Sequence, residues 1–151
     1  MATRGRIGIM NDDGTVLSIY CHWDNYLSHT GKILLNHYQD ESKIRELMAL
    51  GDISSLGAEI GEKHPFDSPG FGNPAADEYR QLYGHMCNAY GRDRGEKNTG
   101  AKLSRNVAGF EFLSEEFNYL FAEGQWSVSF WDRPRMLLKD AVETKADTDL
   151  S

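Results

Sequence analysis

The sequence predicts an α+β domain built on one mainly antiparallel sheet. Apolar residues alternate with polar or small ones over residues 6–23, and short aromatic-rich stretches recur between residues 110 and 131. Both patterns are typical of strands. Elsewhere apolar residues recur at intervals of three and four, the spacing of a helix. We therefore expect an N-terminal hairpin and a C-terminal meander to share one sheet, with the helices packed on one face.

The predicted hairpin spans residues 6–23. Ile7 and Ile9 alternate with smaller or polar neighbours in its first strand. Residues 11–14, Asn-Asp-Asp-Gly, tolerate the positive φ angles of a tight turn. In the return strand, Leu17 and Ile19 share one face, so this strand also has the two-residue period of a sheet.

Two helices follow, over residues 26–38 and 41–50. Asp40 is placed to cap the second helix, and Gly51 to close it in a left-handed conformation. Leu47 lies at the centre of an apolar stripe with Ile44 and Met48. We expect this stripe to be buried.

The second half alternates loops with short elements. Residues 61–74 contain three of the four prolines and should form a long loop, followed by a helix over residues 75–83. Residues 85–90 are compatible with either a strand or a helix. Three strands are then predicted, over residues 110–113, 117–121 and 126–131, before a last helix that Pro134 opens. The domain should cover residues 1–143, with a flexible polar tail over residues 144–151.

Composition limits the classes of protein that the chain can belong to. A length of 151 residues fits one domain, and no apolar run is long enough to span a membrane, so a cytoplasmic location is expected. Cys21 and Cys87 should be reduced core thiols. The net charge of −7 makes a nucleic-acid partner unfavourable, although residues 80–105 carry six basic against two acidic residues.

One candidate site lies at the end of the predicted hairpin. His22 and Asp24 are two residues apart and can point the same way, with Tyr26 close behind them and His29 one helical turn later. This set could form a ligand pocket, or an acid/base or metal site. Alternatively, Asp24 caps the next helix and His22 is held by a structural hydrogen bond.

The second candidate site is the segment Arg92-Asp-Arg-Gly-Glu96. The guanidinium groups of Arg92 and Arg94 suit contact with phosphate or carboxylate, and Glu96 lies beside them. In the alternative interpretation, the segment is a solvated loop whose charges pair with one another. We expect His22, Asp24, Arg92 and Arg94 to converge on one pocket that binds an anionic ligand or an acidic partner side chain. Tyr26 and Glu96 are further ligand-binding candidates, and no metal is expected.

Several segments together resemble a family of small uncharacterised proteins encoded by tailed bacteriophages and prophages. The segments are RIGIMNDDG (6–14), SIYCHWD (18–24), GKILLNHY (31–38), GDISSLG (51–57) and RDRGE (92–96). The resemblance covers most of the chain. It implies expression in an infected bacterium, and it carries no assigned catalytic residue.

The sequence contains no GxGxxG, P-loop, nucleophile-elbow or HExxH motif, and we expect no cofactor. The favoured hypothesis is a phage accessory protein that binds a host protein or a small anionic ligand in the host cytoplasm without chemistry. The alternatives are a metal-dependent hydrolase or nuclease using His22, Asp24 and Glu96, and an acidic mimic of nucleic acid. Oligomeric state and catalytic residues stay open.

Overall fold

The protein is an α+β domain with one eight-stranded mixed sheet. The computed structural model describes residues 3–70, 72–113, 115–131 and 133–148. The strands are β1 (Gly5–Met10), β2 (Val16–Cys21), β3 (Ile53–Ser55), β4 (Asn88–Ala89), β5 (Lys102–Ser104), β6 (Phe117–Ala122), β7 (Gln125–Phe130) and β8 (Met136–Leu137). The helices are α1 (Lys32–His37), α2 (Glu41–Leu50), α3 (Ala75–Tyr83), α4 (Tyr90–Arg94), α5 (Val107–Phe112) and α6 (Leu138–Thr144). The α+β class is confirmed.

The strand order is β4-β3-β2-β1-β6-β7-β8, and β5 pairs with β2 beside β3. Most pairs are antiparallel, including β1–β2, in which Gly5 lies opposite Cys21. The pairs β1–β6 and β2–β3 are parallel. Gly5 also lies opposite Phe117, so the chain after β2 and the chain before β6 emerge at the same end of the sheet.

The main core lies on the inner face of the sheet. Alternate residues of β1 and β2, such as Ile7 and Ile19, pack in one cluster with Leu34 of α1, Leu47 of α2 and Leu138 of α6. All five are fully buried, as the helical and strand periodicities require. Cys21 and Cys87 are buried free thiols, and burial raises the pKa of Cys21 to about 12.

The outer face carries a helix where the sequence analysis expects a strand. Residues 110–113 were predicted to be extended, but α5 covers most of them because Asn106 Oδ1 accepts a hydrogen bond from Gly109 N at 2.8 Å. Phe110 of α5 then packs on Val16 and Leu120. A Cβ at Gly8 would lie 2.9 Å from the Phe110 ring, so glycine permits this close approach. The predicted packing of the helices on one face therefore holds for α1, α2 and α6, which contribute to the main core, and does not hold for α5.

Other boundaries move by a few residues. A π-helical turn over Leu27–Gly31 leads into α1, and Asp40 caps α2 by accepting a hydrogen bond from Ser42 N. The last helix starts at Leu138 rather than at Pro134, because Met136–Leu137 pair with β7 as β8. None of the helices in the described part of the chain is long and apolar enough to cross a membrane.

The chain continues in ordered structure past residue 143. Thr144 ends α6, and a 3-10 turn over Ala146–Thr148 follows, in which Ala146 is buried. Asp147 Oδ2 accepts a hydrogen bond from Leu27 N at 3.0 Å, at the start of the π-helical turn. The expected domain boundary therefore falls inside α6. Residues 149–151 of the expected tail lie outside the described residues.

Candidate functional site

The chain leaves β2 along the edge of β3. His22 N donates to Ile53 O at 3.2 Å and Trp23 N to Ser54 O at 2.8 Å, so the two residues after β2 are bonded to β3. Asp24 then turns the backbone with a φ of 53°, a left-handed conformation that Asp and Asn tolerate better than most residues.

His22 is held by its neighbours. Its Nδ1 lies 2.7 Å from the Tyr20 hydroxyl, and its ring meets the Trp23 ring edge-on at a centroid distance of 4.8 Å. Tyr26 packs on Phe117 at 6.0 Å and stays 44% exposed. These contacts agree with the structural alternative for His22 and leave Tyr26 on the surface.

Asp24 caps the following turn through its backbone. Its carbonyl oxygen accepts hydrogen bonds from the Thr30 hydroxyl at 2.9 Å and the Thr30 N–H at 3.3 Å, and it lies 3.0 Å from His29 Nδ1. The predicted cap thus uses the main chain of Asp24 rather than its carboxylate. Asp24 itself is exposed.

The Arg92 side chain is fully hydrogen-bonded within the protein. A guanidinium group has five N–H donors, and in Arg92 all five are used. Two donate to the Asp93 carboxylate at 2.9 and 3.1 Å, one to Cys87 O at 2.8 Å, and two to Ile60 O and Gly61 O at 2.9 and 3.2 Å. A ligand would have to displace these bonds, so the geometry gives Arg92 a structural role.

The Asp93 carboxylate is fully buried at the centre of the same network. Besides Arg92 it accepts hydrogen bonds from Ala89 N at 2.7 Å and His64 N at 3.1 Å. Burial alone would raise the pKa of Asp93, but the hydrogen bonds from Arg92 and the two backbone N–H groups outweigh it and lower the pKa. Asp93 therefore stays ionised and fixes the chain around residue 64.

Arg94 and Glu96 form a partly exposed pair, with Arg94 Nη2 2.8 Å from Glu96 Oε2. The Arg94 guanidinium also lies over the rings of Phe66 and Tyr90, at 4.6 and 5.0 Å from their centroids. It thereby helps to hold Phe66, and with it the segment around residue 66, against α4.

A cleft lies between the chain after β2 and the excursion over residues 61–86. It consists of two adjoining hollows of about 790 and 400 Å³, whose linings share Ser55, Ser68, Tyr79, Gly84 and Met86. Asp24 and His29 line the larger hollow on the β2 side, and Trp23 lines the smaller one. The opposite wall is α3 and the loop before it. These volumes lie in the range of small-molecule sites.

Asn88 of β4 lies in the lining of the smaller hollow. Its Nδ2 donates to Phe66 O at 3.1 Å, whereas its Oδ1 is buried with no hydrogen-bond partner among the described residues. An unpaired buried acceptor costs about 1–3 kcal/mol. This oxygen is shielded from solvent, so a ligand donor would reach it only after the Asn88 side chain turns into the hollow.

The two predicted segments thus serve one cleft in different ways. From the segment around His22, Asp24 lines the cleft directly. The segment Arg92–Glu96 supports the far wall instead: Arg92 holds Ile60 and Gly61, and Arg94 packs on Phe66. His22, Tyr26, Arg92, Arg94 and Glu96 are not among the residues that line either hollow. Their convergence on one anion pocket stays a prediction that the cleft lining does not support.

Sequence reasoning missed the far wall, which includes Ala76, Asp77, Tyr79 and Arg80 of α3. One signal pointed to it, because a long proline-rich loop inside a small domain is often functional. A second is visible only in the structure: none of the residues of α3 is buried. The helix therefore contributes to the cleft rather than to the core.

Within the described residues, no group of three or more His, Cys, Asp or Glu side chains is arranged to hold a metal ion. Comparison of the chain with protein-family models, with curated proteins and with solved structures finds no match. The function therefore has to be argued from the cleft.

Proposed function

We propose that this protein is a non-catalytic binding protein that holds a small ligand in the cleft between the chain after β2 and α3. The observation that carries the proposal is the cleft itself, whose two hollows are lined by aromatic rings together with hydroxyl, amide and carboxylate groups. A concave site of this size, whose polar groups and rings can fix the orientation of a bound molecule, suits a small ligand.

The support of the far wall strengthens the proposal. Residues 60–66 are held by contacts with four side chains. Arg92 bonds the carbonyl groups of residues 60 and 61, Asp93 the N–H group of residue 64, Asn88 the carbonyl group of residue 66, and Arg94 packs on the ring of residue 66. A surface excursion held at several points keeps its shape, and a preformed cleft lowers the entropy cost of binding. The resemblance to phage-encoded proteins supports a setting in the cytoplasm of an infected bacterium, where the ligand would be sequestered.

The test is native mass spectrometry of the protein purified from infected cells, with two neighbouring substitutions on α3. Ala76→Phe places a ring in the larger hollow, whereas Ala75→Phe makes the same change at an exposed residue outside both hollows. We expect a non-covalently bound mass on the wild-type protein and on Ala75→Phe, and its loss from Ala76→Phe. A mass that Ala76→Phe retains, or no mass on the wild-type protein, would contradict the proposal.

A host protein is a second candidate partner, favoured by one observation. Trp131 is 53% exposed and has a φ of 50°, which is unusual for a bulky residue. Its ring packs on Phe117 at 5.7 Å, which also carries the exposed Tyr26 ring. Exposed tryptophan and tyrosine rings are enriched at the centres of protein interfaces.

Cross-linking in infected cells tests this candidate with matched variants. Trp131→Ala should abolish a specific cross-linked partner. Leu103→Ala, which removes a 65% exposed side chain from β5 at the other end of the sheet, should retain it. Equal recovery of that partner with both variants would exclude the Trp131 surface.

A further inference from the structure

We propose that the cleft is selective for a small organic cation, a flexible amine or guanidine compound, because carboxylates and aromatic rings line it together and the amide oxygen of the lining residue Asn88 has no partner among the described residues. This inference rests on the proposed function, since it names the chemical class of the ligand that the cleft holds. It also reverses the sign of charge that the sequence analysis expects.

The charged side chains of the lining are the first argument. Among the described residues that line the two hollows, Asp24, Asp67 and Asp77 bring three carboxylates, against one guanidinium from Arg80. That guanidinium lies 3.5 Å from the Asp77 carboxylate and pairs with it, which leaves the carboxylates of Asp24 and Asp67 as the excess charge of the lining. An anionic ligand would meet net negative charge here, whereas a cation would be attracted.

The unpaired acceptor is the second argument. Asn88 Oδ1 is buried without a partner among the described residues, whereas Nδ2 of the same side chain donates to Phe66 O. An ammonium group offers up to three N–H donors and no acceptor. It could therefore donate to a carboxylate of the lining and, once the Asn88 side chain turns toward the hollow, to this oxygen as well.

The aromatic rings are the third argument. Trp23, Tyr79 and Tyr83 line the smaller hollow, and the Tyr79 hydroxyl already donates to Pro65 O at 2.6 Å. A cation over the face of such a ring is attracted by its quadrupole. The protein uses the same interaction on the far wall, where the Arg94 guanidinium lies 4.6 Å from the Phe66 centroid.

Isothermal titration calorimetry with three probes tests the charge class. Spermidine and agmatine represent amines and guanidines, and adenosine monophosphate represents an anion with an aromatic ring. We expect both amines to bind the wild-type protein, with an affinity that falls as salt is added, and adenosine monophosphate not to bind. Binding of adenosine monophosphate in preference to the amines, or no binding of either amine, would overturn the inference.

Isosteric variants separate the cleft from general attraction to an acidic protein. Asp24→Asn and Asp67→Asn each remove one carboxylate of the lining at an exposed residue, and Asn tolerates the positive φ at residue 24. Glu46→Gln makes the same charge change on the exposed side of α2. We expect Kd for spermidine to rise about fivefold in each cleft variant and to change less than about twofold in Glu46→Gln.

Equal changes in all three variants would overturn the inference, because they would show charge attraction without a site. The result is separable from the test of the proposed function. A bound mass that Ala76→Phe removes would leave the cleft a ligand site even when the amines fail to bind.

Discussion

Arg92→Ala should destabilise the fold, because the Arg92 guanidinium group makes all its hydrogen bonds within the protein. The substitution removes five hydrogen bonds and leaves the Asp93 carboxylate buried without its cation. Removing one partner of a buried ion pair costs about 3–5 kcal/mol. Each Asp93 oxygen keeps one backbone donor, from His64 N or Ala89 N, so we expect a loss of about 3 kcal/mol.

Urea unfolding followed by tryptophan fluorescence measures this loss as a shift of the midpoint at constant slope. Arg94→Ala is the matched control, since Arg94 is also an arginine of α4 but pairs with Glu96 in solvent. Its loss should be several times smaller. Equal and small losses of unfolding free energy for the two variants would refute the structural role of Arg92, and Arg92 would again be a candidate ligand contact.

Acid should reduce the effect of Arg92→Ala, because the pKa of Asp93 is lowered in the folded protein. The contribution of the Asp93 carboxylate to stability is present above about pH 4 and is lost as the pH falls through the pKa of the folded state. Urea titrations of both proteins at pH 7 and at pH 3 would show this. Gly51→Ala should cost more than Gly95→Ala. Both glycines have positive φ, worth about 1–2 kcal/mol for alanine, but only at Gly51 would the new Cβ lie 2.3 Å from a backbone oxygen, that of Thr99. Thermal unfolding compares the two, and an equal loss would contradict the clash. Leu47→Ala should lose about 2–4 kcal/mol in urea because Leu47 is fully buried, with Glu41→Ala as an exposed control on α2 that should change little.

The sequence predicts two helices with the bounds that the structure gives them, α2 (Glu41–Leu50) and α3 (Ala75–Tyr83). Asp40 and the stripe through Leu47 define α2 to within one residue, since both signals are local. Gly51 has the expected positive φ, although its ψ of −161° lies outside the left-handed helical region. What required this glycine was the approach of residue 99, a contact that no local pattern contains.

The helix that replaces the predicted strand at residues 110–113 has one local and one non-local cause. The aromatic residues of this segment suit a strand. Asn106 caps a helix instead, and Phe110 packs against Gly8 of β1 on the outer face of the sheet. The parallel pairing of β1 with β6 is also non-local and cannot be read from the period of either strand. Residues 85–90 proved to be both kinds of element, with β4 inside the stretch and α4 starting at Tyr90.

The candidate site was predicted in outline only. The sequence marked Asp24 and the Arg92 segment as unusual, yet it could not show that Arg92 turns inward. That outcome depends on the carbonyls of Ile60 and Gly61, which lie about 30 residues away in the chain. The residues of the far wall, such as Tyr79, form no sequence motif, because they contribute surface to the cleft rather than a common reactive group.

The most direct test of the cleft is an amide nuclear magnetic resonance spectrum of the protein titrated with a mixed panel of small amines, nucleosides and sugars. The account predicts that the amides that shift belong to the residues shared by the two hollows, above all Ser55, Ser68, Tyr79 and Met86. Shifts confined to other surfaces, or no shifts with any member of the panel, would contradict it.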